Sequence, residues 1–287
     1  MRKERTRRPR CMSMGLGCHS RVICTLGDLL LDVVVRLEGP IAEDTDTYGR
    51  TRVGAGGQAA NVAAWVVELG GRARFIGKRA RDPAGQVVAE ELRRRGVELA
   101  GPEVERGTGT VVSLATPDGR RTMLSDRGIS PELSPAELDA RWLKDCEWLH
   151  LPGYSLVSPP IREAALAAAR LAASVSVDVS STAAVAAAGV EPFSETVAAL
   201  APQVIFATKE EAALVHHLEA ETVVVKGGAA GCVVRRGDEE TAFPAHPAEA
   251  LDSTGAGDAF AAGFLLGGPD LALAAAARCV AQLGAMP

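Results

Sequence analysis

Leu251-Asp252-Ser253-Thr254-Gly255-Ala256-Gly257-Asp258-Ala259-Phe260 is the stretch on which the reading of this chain turns. It reads as a strand end, a tight glycine turn, and a helix starting at about Asp258. Neither Gly255 nor Gly257 has a Cβ, so the backbone can turn sharply and come close to a ligand. The amides of Gly255, Ala256 and Gly257 would then point out of a helix N-terminus, where unpaired N–H groups and the helix dipole favour an anion. Asp258 is out of place beside an anion unless the site must also accept a proton. Moving a phosphoryl group onto a hydroxyl sets both tasks: donors for the charge in transit, and a carboxylate beside the attacking oxygen. A glycine turn ahead of an acid is also what an ordinary helix cap looks like, so the rest of the chain has to decide.

The 287 residues, 47% hydrophobic and 23% charged, suffice for one large α/β domain with its own core. A formal net charge of −5 gives no electrostatic footing for nucleic acid. No apolar run approaches the roughly 20 residues of a membrane span. Cys11, Cys18, Cys24, Cys146, Cys232 and Cys279 are scattered without a Cys-x-x-Cys pair and read as reduced thiols of a cytoplasmic protein. Cys11, Cys18 and His19 lack a fourth ligand at zinc spacing. Residues 1–10 carry Arg2, Lys3, Arg5, Arg7, Arg8 and Arg10 against Glu4. Residues 1–20 read as a disordered basic tail, with no apolar segment behind the charges to make a signal peptide.

Val22–Leu26 reads as a short buried strand ending in Gly27-Asp28, with Leu29–Val35 behind it. Asp32 then lies near the carboxyl ends of strands, where open α/β sheets take their ligands, placed to accept from substrate hydroxyls. Val53-Gly54-Ala55-Gly56-Gly57 leads into a helix running to about Leu69, with Asn61 in its first turn. The glycines allow close approach, and an amide that both donates and accepts suits a vicinal diol. Arg72–Gly77 reads as a strand and Gln86–Arg95 as a helix closed by Gly96. Gly109–Leu114 and Arg121–Ser125 read as a hairpin turning at Pro117-Asp118-Gly119.

From about Leu133 helices and strands alternate, the pattern of a parallel sheet covered on both faces. Helices are expected over 135–144, 160–173 and 195–201, and strands over 148–151, 175–179 and 204–207. Asp178 closes one of these strands, but Ser180-Ser181-Thr182 after it is not diagnostic. Glu210 and Glu211 open a helix with charges that suit its dipole. Thr222–Lys226 and Cys232–Arg235 are strands around Gly227-Gly228-Ala229-Ala230-Gly231, and Leu271–Leu283 is the last helix.

Together these motifs resemble the ribokinase-like (PfkB) family of carbohydrate and nucleoside kinases, over roughly residues 22–285 and in family order. Residues 252–258 are similar to its Asp-Thr-X-Gly-Ala-Gly-Asp signature, and Gly27 to Asp32 to its first strand. Gly56 to Asn61 resembles its Gly-Gly-x-x-x-Asn sugar loop, and Lys226 to Gly231 its nucleotide loop. The run from Ile76 to Gly85 fits with Ala80 in place of a glycine. Thr208-Lys209-Glu210-Glu211 resembles its Asn-x-x-Glu motif, with Thr208 standing where asparagine is expected.

The resemblance implies a three-layer α/β/α fold with a mostly parallel central sheet, in one kinase domain over 21–287. It also implies a small β lid, from about 34–53 and 108–126, that excludes water from the site. The implied chemistry is ATP- and Mg2+-dependent phosphorylation of a hydroxymethyl group. Asp258 would serve as base and Gly255, Ala256 and Gly257 as the anion site. Asp32, Gly56, Gly57 and Asn61 would meet the substrate, and Lys226, Gly228, Gly231, Asp252 and Thr254 the nucleotide, with Glu211 on the metal side. A monovalent cation stays open, because family residues that help hold it follow an equivalent Gly-Ala and this sequence stops at Pro287. Exposed lid strands suggest a homodimer.

No Gly-x-x-x-x-Gly-Lys-Ser/Thr segment is present, which excludes a P-loop kinase, and no Gly-x-Gly-x-x-Gly follows the first strand, which counts against a dehydrogenase. Gln58 stands where phosphosugar kinases of the family carry lysine, which favours a neutral acceptor. A free sugar or sugar acid ranks first. A nucleoside ranks second, since only 4% of residues are aromatic, although Tyr48 in the lid keeps it open. Ala59, Ala80 and Thr208 are off pattern, which leaves a non-catalytic sugar- or nucleotide-binding relative as a third reading; Asp258 argues against it, since binding needs no base.

Overall fold

The computed structural model describes residues 22–116, 121–215 and 219–287. The basic tail and the turn at Pro117-Asp118-Gly119 lie outside the described residues. β1 (Val22–Leu26) is buried at every position, as a central parallel strand covered on both faces must be. β2 (Leu30–Leu37) and β3 (Gly49–Gly56) form an antiparallel pair. α1 (Gln58–Glu68) comes at once after β3, buried from Ala59 through Val66. After β4 (Arg72–Ile76) and the short β5 (Arg79–Ala80) comes α2 (Pro83–Arg94). It starts at Pro83 rather than Gln86, because Asp82 caps it by accepting from Gly85 N at 2.8 Å and proline suits the first helical position. β6 (Glu98–Ala100), β7 (Glu103–Val104), β8 (Thr108–Ala115) and β9 (Arg121–Gly128) complete this half of the chain.

Residues 135–144, expected as one helix, form separate 3-10 turns at Pro135–Glu137 and Ala140–Leu143. Two local caps divide the run: Ser134 pairs with Glu137, and Asp139 accepts from Arg141 N at 2.9 Å. Side chains that bond their own backbone compete with a continuous helix. The alternation then resumes with β10 (Cys146–Pro152), α3 (Ile161–Ala169), β11 (Ser174–Asp178), α4 (Thr182–Ala188) and α5 (Val190–Leu200). β12 (Val204–Thr208), α6 (Lys209–Leu214), β13 (Thr222–Lys226), β14 (Cys232–Arg236) and β15 (Glu239–Phe243) come next. α7 (Ala256–Gly267) and α8 (Pro269–Val280) end the chain. α5 begins at Val190, ahead of the expected Glu195. β15 was not expected, since its exposed Glu239, Glu240 and Thr241 carry no apolar signal.

The main sheet has nine strands in the order β15-β14-β13-β12-β11-β10-β1-β4-β6. β14 pairs antiparallel with both β13 and β15, and the other pairings are parallel. One apolar cluster packs α1, α7 and α8 on one face, and a second packs α3 and α5 on the other. From β1 the chain runs outward to β4 and β6, then returns to β10 and runs the other way. The reversal at β1 and β10 leaves a crevice at the carboxyl ends of the strands, where such sheets bind ligands. Above it stands a four-stranded sheet, β3-β2-β8-β9, which takes in the lid segments expected over 34–53 and 108–126 and reaches down to Leu30, Gly56, Thr108 and Gly128.

Candidate active site

No strand precedes the anion turn, contrary to expectation; residues 244–250 have no regular structure. The turn hangs instead on α8, with Leu251 N and Asp252 N donating to Val280 O at 2.7 and 3.2 Å. The Asp252 carboxylate then folds the turn around itself. Its Oδ1 accepts from Thr254 N and Oγ1 at 2.9 and 2.6 Å, and its Oδ2 from Gly284 N at 3.0 Å. Gly255, at φ +77°, caps α7, and a Cβ there would lie 2.6 Å from Ala285. The helix therefore starts at Ala256, ahead of Asp258. The Ala256 amide donates to Ser253 O at 3.3 Å. Among the described residues the Gly255 and Gly257 amides have no hydrogen-bond partner.

Asp258 comes next on the helix, nearly buried, and its Oδ2 accepts from Asn61 Nδ2 at 2.7 Å. Burial pushes its pKa up to about 7; the Asn61 bond and Lys226 oppose that rise, while Asp178 and Asp32 add to it. Asn61 Oδ1 is buried without a partner. Asp32, on β2, is pushed up to about 6 by burial and by Glu91 of α2. Gly56 ends β3, and a Cβ on it would fall 2.1 Å from the Asp32 carboxyl carbon, so its lack of a side chain makes room for that acid. Gly57, at φ +96°, is the cap of α1.

Lys226 Nζ donates to Asp178 Oδ2 at 2.6 Å, and the Asp178 side chain is fully buried. Burial alone would lower the lysine, but Asp178, Glu211 and Asp258 hold it above its ordinary value. A Cβ on Gly257 would lie 3.5 Å from Lys226 Nζ, so the ammonium stands against the anion turn. Glu211 caps α6 reciprocally with Thr208, accepting from Thr208 N at 2.7 Å while Glu211 N donates to Thr208 Oγ1 at 3.2 Å. Threonine in place of asparagine thus still caps the helix. Burial and Asp178 raise Glu211, with Lys226 opposing.

A cavity of about 590 Å³ joins these groups, lined by Asp32, Gly57, Asn61, Glu211, Lys226, Gly228, Thr254, Gly255, Gly257 and Asp258. Gly56, Gly231, Asp252 and Ala256 are not among its lining residues. A Cβ on Gly231 would lie 2.0 Å from Phe243 O, so that glycine lets β14 and β15 pass and shapes the loop from behind. Asp28, Arg127, Tyr154 and Asp178 also line the cavity and were missed as site residues. Asp178 could have been found by the reasoning used for Asp32, an acid at the carboxyl end of a buried strand. Nothing local in the sequence marks Arg127. Tyr48, by contrast, is 76% exposed and does not line the cavity.

The model of the pfkB family of carbohydrate kinases matches residues 20–286. An ATP-dependent ribose-1-phosphate kinase of Halopiger xanaduensis is 30% identical over 85% of this chain and 83% of its own. A probable fructokinase-5 of Arabidopsis thaliana is 28% identical over 94% of each chain. The crystal structure of an adenosine kinase from Sinorhizobium meliloti superposes with a TM-score of 0.81 at 25% identity, over 93% of this chain and 96% of that one. With its anion turn, its raised carboxyl and a family match from end to end of the described residues, the chain belongs to the pfkB family of carbohydrate kinases, ATP-dependent phosphotransferases that act on hydroxyl groups.

Proposed function

We propose that this cavity phosphorylates the hydroxymethyl group of a small neutral sugar, with Asp258 as general base. The observation that carries the reading is Asp258 itself. It is a nearly buried carboxyl at a pKa of about 7, suited to take a proton near neutral pH. It stands on the same helix turn as two amides free to receive charge. Asn61 orients it, and Asn61 Oδ1 and Asp32 are left to accept from sugar hydroxyls. The Gly255 and Gly257 amides and Lys226 face the transferring group, and preorganised donors of this kind are worth about 3–4 kcal/mol each. Gly228 and Thr254 line the donor side, with Asp252 and Gly231 shaping the loops behind them.

Among the described residues no group of three or more His, Cys, Asp or Glu side chains forms a metal cage. That suits Mg2+, which keeps its waters and takes one or two carboxylates plus phosphate oxygens. Glu211 would hold it, having an oxygen beyond the one given to Thr208 N. When bound, the ion neutralises charge on the donor phosphates.

The cavity lining supports a neutral acceptor: Asp28, Asp32, Asp178, Glu211 and Asp258 outnumber Arg127 and Lys226, and Gln58 also faces it. This moves a sugar acid below a free sugar. A nucleoside is the second reading, supported by Tyr154 in the cavity and by the adenosine kinase likeness. Val53, Val33, Val112 and Leu124 are register partners across all four strands of the lid, and Val53 and Leu124 are each 56% exposed. This apolar row, on the face away from the cavity, supports a homodimer through the lid. The buried free thiols of Cys24, Cys146, Cys232 and Cys279 support a reducing, cytoplasmic setting. No helix among the described residues is long and apolar enough to cross a membrane.

The test is ADP release from Mg·ATP over a panel of free sugars, sugar acids, phosphosugars and nucleosides, with the product read by phosphorus NMR. The reading expects turnover on a neutral sugar and a phosphomonoester on its hydroxymethyl. Preferred turnover of a phosphosugar would overturn the neutral-acceptor claim, and ATP binding without turnover of any acceptor would favour a binding protein.

A further inference from the structure

The lid is fastened at its root by a clasp that the chemistry above does not use. Arg127, near the end of β9, donates from Nε to Asp28 Oδ2 at 2.7 Å and from Nη2 to Asp28 Oδ1 at 2.9 Å. Nη2 also donates to Tyr154 O at 2.9 Å, and the guanidinium carbon lies 5.9 Å from the centre of the Tyr154 ring. The Asp28 side chain is 7% exposed and that of Arg127 22%. A forked pair at this depth fixes the relative position of its partners far better than a solvated single contact.

What Asp28 holds gives the clasp its meaning. It lies in the loop between β1 and β2, just ahead of the strand that carries Asp32. Its carbonyl backs onto Gly57, where a Cβ would lie 2.4 Å from it. Gly57 caps α1, and α1 carries Asn61, which holds Asp258. One loop thus supports both the acceptor acid and the Asn61–Asp258 pair, and the lid's arginine grips that loop. Beside Arg127, Gly128 is at φ +52° and a Cβ there would meet Gly109 N at 2.4 Å, so the root of β9 is packed tightly against β8. A shift of Asp28 therefore reaches the whole lid hairpin.

We propose that Arg127 is a positioning residue that couples closure of the lid to the geometry of the acceptor site. With the Arg127–Asp28 pair formed, the lid sheet, Asp32 and the start of α1 move as one unit. With it broken, the lid root lifts and water reaches the donor, taking the γ-phosphoryl group to give ADP and inorganic phosphate in place of the phosphorylated acceptor. The catalytic part of this inference rests on the kinase activity of the same site; the mechanical part does not.

The experiment compares the wild-type protein with Arg127→Met, Arg127→Lys and Asp28→Asn, each first shown by thermal melting and circular dichroism to be folded. Hydrogen–deuterium exchange without ligand is read alongside acceptor kinetics and the fraction of ATP released as inorganic phosphate. In Arg127→Met, exchange is expected to rise together in 108–115, 121–128, 28–37 and 57–61. Its kcat/KM for the acceptor should fall about 10²-fold, the usual cost of a displacement near 1 Å. ATP affinity should stay unchanged and the phosphate fraction should rise, with Arg127→Lys restoring part of both, since an ammonium cannot form the fork. Exchange confined to the neighbours of residue 127, or an unchanged phosphate fraction in a folded variant, would overturn the coupling. Because the exchange measurement needs no substrate, a protein inactive on every acceptor would defeat the kinase reading and still decide this one.

Discussion

At the scale of single residues, the site stores cost where it needs chemistry. The Asp258 carboxyl has a pKa of about 7 in the folded protein against 3.8 ordinarily. The native state therefore binds that proton more tightly than the unfolded chain does, and stability declines as pH rises from about 4 to about 7. Asp258→Asn removes the cost while keeping the amide bond to Asn61. Its melting temperature should exceed the wild type by a few degrees at pH 8, with the gain shrinking toward pH 4; a lower melting temperature at pH 8 would contradict the burial argument. Lys226→Met should act the opposite way, because it leaves Asp178 buried without its counter-charge, at a cost of about 3–5 kcal/mol measurable by urea unfolding. Asp178→Asn in the same chain should return part of that loss. Asp258, Asp32 and Asn61 were readable as candidates from the glycine turns and strand ends beside them, and Lys226 only through the resemblance of its loop to the family's nucleotide loop. Asp178 was missed although it closes a buried strand much as Asp32 lies near one, whereas Arg127 was not legible, because nothing local marks it and its partner Asp28 lies 99 positions away. Which strands become neighbours decides such pairs, and local sequence does not carry that.

At the scale of elements, the turns do more than the motifs suggested. Gly56 and Gly57 read in sequence as one flexible approach to a ligand. In the structure Gly56 closes a strand and vacates space for Asp32, while Gly57 starts a helix. Gly56→Ala should therefore displace the Asp32 carboxylate, with an overpacking cost of about 1–3 kcal/mol. The acceptor KM should rise while ATP affinity is kept, and equal effects on both would place the glycine elsewhere in the mechanism. Apolar runs such as Val22–Leu26 and Val204–Thr208 were readable as buried strands because both faces are covered. The 135–144 segment was misread because Ser134, Glu137 and Asp139 satisfy backbone groups locally and divide a helix-like run. β15 was invisible because an exposed edge strand needs no apolar period.

At the scale of the whole molecule, the alternation of helices and strands was enough to foresee a parallel, two-faced sheet. At one edge the antiparallel β13-β14-β15 run was only partly legible, since exposed β15 carries no apolar period. The parallel pairing of β2 with β8 in the lid was not legible, since it joins segments far apart in the chain. The apolar row from Val53 to Leu124 belongs to this scale, because in the proposed lid dimer a second copy covers it. Leu124→Lys should shift the protein to a smaller species in analytical ultracentrifugation without unfolding it; an unchanged mass would remove the lid dimer. The central claim, that Asp258 takes the acceptor's proton, is tested most directly by the pH dependence of kcat/KM for whichever acceptor turns over, in the wild type and in Asp258→Asn. The account predicts an ascending limb near pH 7 in the wild type, and in the variant a loss of about 10²–10⁴-fold with that limb gone. An Asp258→Asn enzyme with near-full activity, or one that keeps the limb, would contradict it.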